Sequence, residues 1–182
     1  PEDEAVGRLV AVIRRTRPHV ILTYGDEQTG YPHPDHLRVH DISIIAWEAA
    51  GDPGRFPDAG EPWTPSKLYY SAWARARFTA LHEAFLANDL ESPFDQKWFD
   101  RPSLDHRITT QIDITGYYAV RSAALRAHAT QIDPEERFWF GLTDEIAESA
   151  YPFEDYELAD SRVPTSVPED DLFAGLREEA AS

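Results

Sequence analysis

Cysteine and methionine are both absent from this chain of 182 residues. Without cysteine there is no disulfide framework and no thiolate metal site. Any bound zinc must then be held by His, Asp or Glu, a donor set more typical of catalytic than of structural zinc. Long apolar runs are also lacking. The longest, from Ile42 to Trp47, is interrupted by Ser43 and falls far short of the roughly 20 residues that a membrane span needs. Basic residues are few, with 17 Lys and Arg against 33 Asp and Glu, a formal net charge of −16. Such a surface argues against nucleic acid as a partner, because Lys and Arg must neutralise the phosphates. It argues equally against an anionic membrane surface. A small-molecule substrate or a protein partner remains. No secretory or lipidation signal opens the chain, which makes the cytoplasm the expected location. The sequence starts Pro1, Glu2, Asp3, Glu4 and enters a helix almost at once. With no methionine anywhere, it reads as a portion of a longer polypeptide.

What is present describes a folded protein. Hydrophobic residues make up 42% and aromatics 12%, enough for a packed core in a single domain. Residues 3–17 carry Val6, Leu9, Val10 and Ile13 at helical spacing, acids early and Arg14, Arg15 and Arg17 late. That order suits the helix dipole, and Pro18 stops the helix. Residues 19–24 read as a short buried strand of a parallel sheet. Residues 25–33 form a Gly, Asp, Pro and Thr loop at the strand's C-terminal end, where open α/β sheets place their ligands. A helix starts at Pro34, runs to residue 50 and closes at Gly51 to Pro53. Residues 52–65 read as an irregular loop, 67–73 as a second strand and 75–89 as a helix. A polar loop over 91–105, a strand over 107–113 and an Ala-rich helix over 117–131 follow. The acidic, aromatic tail from Pro134 carries the weakest pattern. Alternating helices and strands predict an α/β fold with a mainly parallel sheet and flanking helices.

The richest cluster of chemistry is His33, Pro34, Asp35, His36. Two imidazoles three residues apart, with a carboxylate between them, stand at a loop-to-helix junction on the expected ligand edge. Neutral imidazole is a common zinc donor, and a helix beginning at Pro34 fixes the backbone of His36. Asp35 either accepts the spare N–H of a ligating histidine or serves only as an acid at a helix start. Tyr31, held extended by Pro32, offers a hydroxyl to a substrate oxygen. The opposing reading makes these residues turn formers and solvated caps. His40, one turn after His36, reads as a support or packing residue. His19, His82 and His106 are isolated and read as structural, and the role of His128 is open.

The stretch from Gly30 to His40 resembles the second signature of the LmbE/PIG-L family of zinc-dependent N-deacetylases. Residues 31–36 with 49–52, 57–63 with 66–70, and 124–134 resemble the branch of that family that cleaves mycothiol S-conjugates. Residues 157–164 and 168–175 are similar to its tail. The likeness covers nearly the whole chain. It implies a Rossmann-like LmbE/PIG-L fold whose N-terminal part is missing here, with residues 1–182 as the C-terminal portion of one hydrolase domain. It implies Zn²⁺ as cofactor, with His36 as a metal ligand. His33 would contact the substrate carbonyl and its developing oxyanion, Asp35 would orient a histidine, and Tyr31 would assist. The implied reaction is attack of a metal-activated water on the amide of a mycothiol S-conjugate, giving a mercapturic acid and glucosaminyl-inositol. The family's other signature, a His-Pro-Asp-Asp-Glu type run, supplies two further zinc ligands and the general base. It does not occur in this sequence, so the remaining ligands are expected from a missing N-terminal segment. Residues 25–30 also depart from the family's usual Asp-Glu-Asn-Gly-Gly loop. Two other readings are an N-acetylglucosaminyl-inositol deacetylase and a truncated remnant without catalysis.

Overall fold

The computed structural model describes residues 1–26 and 33–177. Helix α1 (Glu2–Thr16) has Glu2, Asp3 and Glu4 in its first turn and Arg14 and Arg15 in its last, matching the helix dipole. It buries Val6, Val10 and Ile13. Arg17 takes a left-handed conformation (φ 50°) and returns its N–H to the Ile13 carbonyl, which closes the helix. Strand β1 (Val20–Tyr24) follows. Helix α2 (Pro34–Ala49) begins with proline at its first position, where the missing N–H costs nothing.

Strand β2 (Lys67–Ala72) pairs parallel to β1, with Val20 opposite Lys67 and Tyr24 opposite Ser71. Helix α3 (Arg75–Ala87) and one short turn, α4 (Gln96–Phe99), lead to strand β3 (Thr110–Asp113). Helix α5 (Tyr118–Ala127), a single turn α6 (Arg137–Phe140) and helix α7 (Asp144–Ala150) precede strand β4 (Phe153–Ser161). The strand order is β1-β2-β4-β3.

The fold is α/β with flanking helices, as expected, but the sheet is mixed rather than mainly parallel. Strand β4 runs antiparallel to both β2 and β3, so of the three pairings between the four strands only β1–β2 is parallel; the isolated bridge between Thr110 and Glu169 is parallel too. The reason lies in the tail. Only Tyr151 and Pro152 separate α7 from β4, and the nine-residue strand inserts between β2 and β3. The expected strand over 107–113 is shorter, because a helical turn occupies Asp105–Arg107. The Ala-rich helix ends at Ala127 instead of running to residue 131.

Helices α1 and α2 form one core around Val6, Val10, Ile13, Ala46, Ala49 and Ala50, with Ile21 of β1 packed against it. Arg14 is buried there, and among the described residues its hydrogen bonds go to backbone carbonyls rather than to a carboxylate. Its guanidinium donates to the carbonyls of Ala49, Ala50, Asp52, Arg55, Phe56 and Gly60, and so shapes the loop after α2. A second core is aromatic, with Phe78, Phe94, Trp98 and Phe138 in mutual ring contact. The tail is fixed at Glu169. Its backbone pairs with Thr109 and Gln111 beside β3, and its carboxylate accepts from Lys67 Nζ at 2.6 Å and Tyr69 Oη at 2.7 Å.

Candidate site at the end of strand β1

The sequence places His33 and His36 where β1 gives way to α2. His33 is the N-cap of α2, with extended backbone. Its Nδ1 accepts the Asp35 backbone N–H at 3.2 Å, satisfying one of the donors that a helix start leaves open. An accepting Nδ1 puts the proton of a neutral ring on Nε2. The Asp35 carboxylate lies 3.9 Å from the same Nδ1 and pairs with it only when the ring is protonated. Asp35 is therefore tied to His33, and it stands in the first turn of α2 as a helix-start acid as well.

His36 lies one helical turn further on. The Tyr24 ring stacks flat on its imidazole, with centroids 3.9 Å apart and planes 11° from parallel. The His33 ring is 5.2 Å away at 41°. Burial pushes the His36 pKa below its ordinary value, and the neighbouring His33 adds to the fall against an opposing pull from Asp35. A ring that resists protonation keeps its lone pair for a metal ion.

The strand end is held from several sides. Thr23 donates to Ser43 Oγ at 2.9 Å, tying β1 to α2. His40 Nδ1 lies 3.0 Å from the Tyr24 carbonyl, so its proton sits on that nitrogen. Its ring meets Tyr70 edge-on at 5.3 Å. This bears out the reading of His40 as a support. Arg107 reaches Asp26 Oδ1 at 2.6 Å and Glu157 Oε2 at 2.8 Å. Burial pushes the Asp26 carboxyl up, but the Arg107 bond and charge outweigh it and hold the pKa below the usual value. Burial raises the Tyr70 phenol, and the carboxylates of Asp26 and Glu157 raise it further.

Tyr31 lies outside the described residues. His33, Asp35 and His36 are together, as one helix turn requires. Tyr24, Asp26, Arg107 and Glu157 are additions that the sequence reading did not single out. Tyr24 had a signal, as the last residue of a strand at the ligand edge. Arg107 had none, since 81 residues separate it from Asp26. Of the other histidines, His19 packs against Trp63, His82 bonds Ser92, His106 lies in the turn Asp105–Arg107, and His128 is the C-cap of α5.

The donors suit zinc only in part. His36 offers a neutral, oriented imidazole, yet no group of three or more His, Asp or Glu that could hold a metal occurs among the described residues. Catalytic zinc normally takes three protein ligands. No helix among the described residues is long and apolar enough to cross a membrane.

No family model matches the chain. It is 46% identical over 184 aligned positions to a mycothiol S-conjugate amidase of Streptomyces coelicolor, covering 98% of this chain and 62% of the relative. It is 41% identical to a 1D-myo-inositol 2-acetamido-2-deoxy-alpha-D-glucopyranoside deacetylase of Streptomyces scabiei, covering 96% and 55%. A deacetylase of the same name from Frankia alni is 38% identical, covering 92% and 60%. The chain thus spans about three fifths of the length of these curated relatives.

Proposed function

The chain is a homologue, over nearly its whole length, of the LmbE/PIG-L amidases and deacetylases, and from that premise we propose that it is the C-terminal portion of a hydrolase domain that cleaves the amide of mycothiol S-conjugates. The products are a mercapturic acid and glucosaminyl-inositol. The substrate is a small molecule, with neither nucleic acid nor membrane as partner, and the reaction belongs to the cytoplasm. His36 is one ligand of a zinc ion whose other ligands come from outside this chain. When bound, the metal supplies Lewis-acid polarisation of the carbonyl and an acidified water.

The observation that carries this reading is the cap at His33. Because Nδ1 accepts the Asp35 N–H, a neutral His33 ring carries its proton on Nε2, and that N–H is the donor assigned to the substrate carbonyl. A donor fixed in that way stabilises charge on the carbonyl oxygen as the tetrahedral centre forms. Asp35, close to Nδ1, stabilises His33 if it takes a proton. By the family likeness, Tyr31 is assigned an assisting role in the same step. Tyr24 holds His36 from below.

A second reading, deacetylation of N-acetylglucosaminyl-inositol, draws on the relatives that carry the deacetylase name. Hydrolysis of an S-conjugate and of the acetylated amino sugar by the intact, zinc-loaded protein separates the two. Faster turnover of the S-conjugate supports the amidase, and faster release of acetate supports the deacetylase. Cleavage of neither substrate overturns both and leaves a remnant without catalysis.

A further inference from the structure

Arg107 has no part in the hydrolytic reading, yet it links β4 to the segment just beyond β1, at the end of the sheet where His36 lies. Its Nη2 contacts Asp26, two residues beyond β1, and its Nε contacts Glu157 of β4. Glu157 stands opposite Tyr70 of β2, and Tyr70 stands opposite Thr23 of β1. One guanidinium therefore spans from β4 across β2 to the end of β1. A planar fork with donors on two sides holds both carboxylates in fixed directions, which the rotating point charge of an ammonium does less rigidly. The Arg107 side chain is 25% exposed and that of Glu157 23%, so half of the bridge is shielded from water.

Strand β1 is the last strand of the sheet, with β2 as its only strand partner among the described residues. Strand ends with a single neighbour fray easily, and Tyr24 is the final residue of β1. We propose that Arg107 is a positioning residue, which pins Asp26 to β4 and so holds the end of β1 with the Tyr24 ring flat against His36. An ordinary surface ion pair would contribute little and act only on stability. The bridge differs because it fixes the backbone two residues from the ring that orients the metal-binding imidazole. The catalytic consequence rests on the hydrolase reading, whereas the effect on His36 does not.

Proton NMR of the chain with labelled histidine reads the stack directly, because the Tyr24 ring current displaces the His36 ring protons upfield. The Tyr24→Leu variant assigns that displacement. Arg107→Gln, Arg107→Lys and Asp26→Asn should each reduce it. In the intact, metal-loaded protein the same substitutions should lower kcat by about 10- to 100-fold, the scale of a small misplacement, with KM changed less than about 3-fold. The Arg107→Gln, Asp26→Asn double variant should be no worse than the poorer single one, since both break one bridge. Unchanged His36 shifts in Arg107→Gln overturn the inference. So does full recovery by Arg107→Lys, or a loss confined to melting temperature. If His36 responds to Arg107 but the intact protein hydrolyses no amide, the positioning role stands and the hydrolase reading falls. If amides are cleaved and His36 is indifferent to Arg107, the reverse holds.

Discussion

Lys67 and Glu169 form an ion pair sealed at both ends, with Nζ 2.6 Å from Oε1 and side-chain exposures of 0% and 1%. The Tyr69 hydroxyl bonds the second carboxylate oxygen, so the tail is fastened to β2 by a charge that has no access to water. Burial and the carboxylate together push the Tyr69 phenol far above its ordinary pKa.

Lys67→Met should therefore cost about 3–5 kcal/mol, because it strands the Glu169 carboxylate in a dry site. The double variant Lys67→Met, Glu169→Leu should recover part of that loss. Recovery stays incomplete because the Tyr69 hydroxyl loses its 2.7 Å acceptor and keeps only the longer contact to the Leu172 carbonyl at 3.4 Å. Urea unfolding of the three proteins checks the order.

Arg14→Lys should destabilise by at least about 2–3 kcal/mol, although it keeps the charge. Six carbonyls converge on the guanidinium, and an ammonium with three donors leaves several of them unpaired. Amide hydrogen exchange over residues 50–60 should rise more than exchange in β4. Uniform exchange across both would contradict this.

His36 should titrate below an ordinary histidine by NMR. Removing the like charge with His33→Gln should move its midpoint up, and removing the opposing charge with Asp35→Asn should move it down. The sign for stability follows. The unfolded ring binds its proton first as pH falls. Stability is therefore full above the unfolded value and lost as pH drops through it toward the lower native value. A midpoint at or above that of free histidine would refute the assignment.

His33 at the N-cap of α2 and His36 in its first turn should fail in different ways. His36→Gln should remove bound zinc from the intact protein. His33→Gln should keep the metal and lower kcat by about 10²–10³-fold, as loss of one oxyanion donor does. Metal analysis beside steady-state kinetics distinguishes them. By itself the present chain should bind zinc weakly in a calorimetric titration, since His36 is one donor of the three that such a site needs.

The N-terminal half of the fold was legible because its signals are local. Val6, Val10 and Ile13 at helical spacing gave α1 within one residue at each end, and Pro34 marked the start of α2. The tail hid its strand. Residues 153–161 alternate poorly, with Glu154, Asp155, Glu157 and Asp160 falling on both faces. Those acids are tolerated in the middle of the sheet because donors meet them: Arg121 at Glu154, Tyr151 at Asp155, Arg107 at Glu157 and the Trp47 indole at Asp160. Each partner lies on another element, except Tyr151, so a window of neighbours could not reveal them. The site divides in the same way. His33, Asp35 and His36 sit within one turn and were readable. The stacking of Tyr24 and the Arg107 bridge depend on chain crossings that spacing does not encode.

Among the described residues strand β1 has one neighbour within the sheet, and Leu22 on it is 47% exposed. A bare flank of amide and carbonyl groups beside an apolar side chain is a template for self-association. Concentrated solutions of this polypeptide in isolation should therefore be prone to stacking copies flank to flank, and a single Leu22→Lys change would make the material easier to handle.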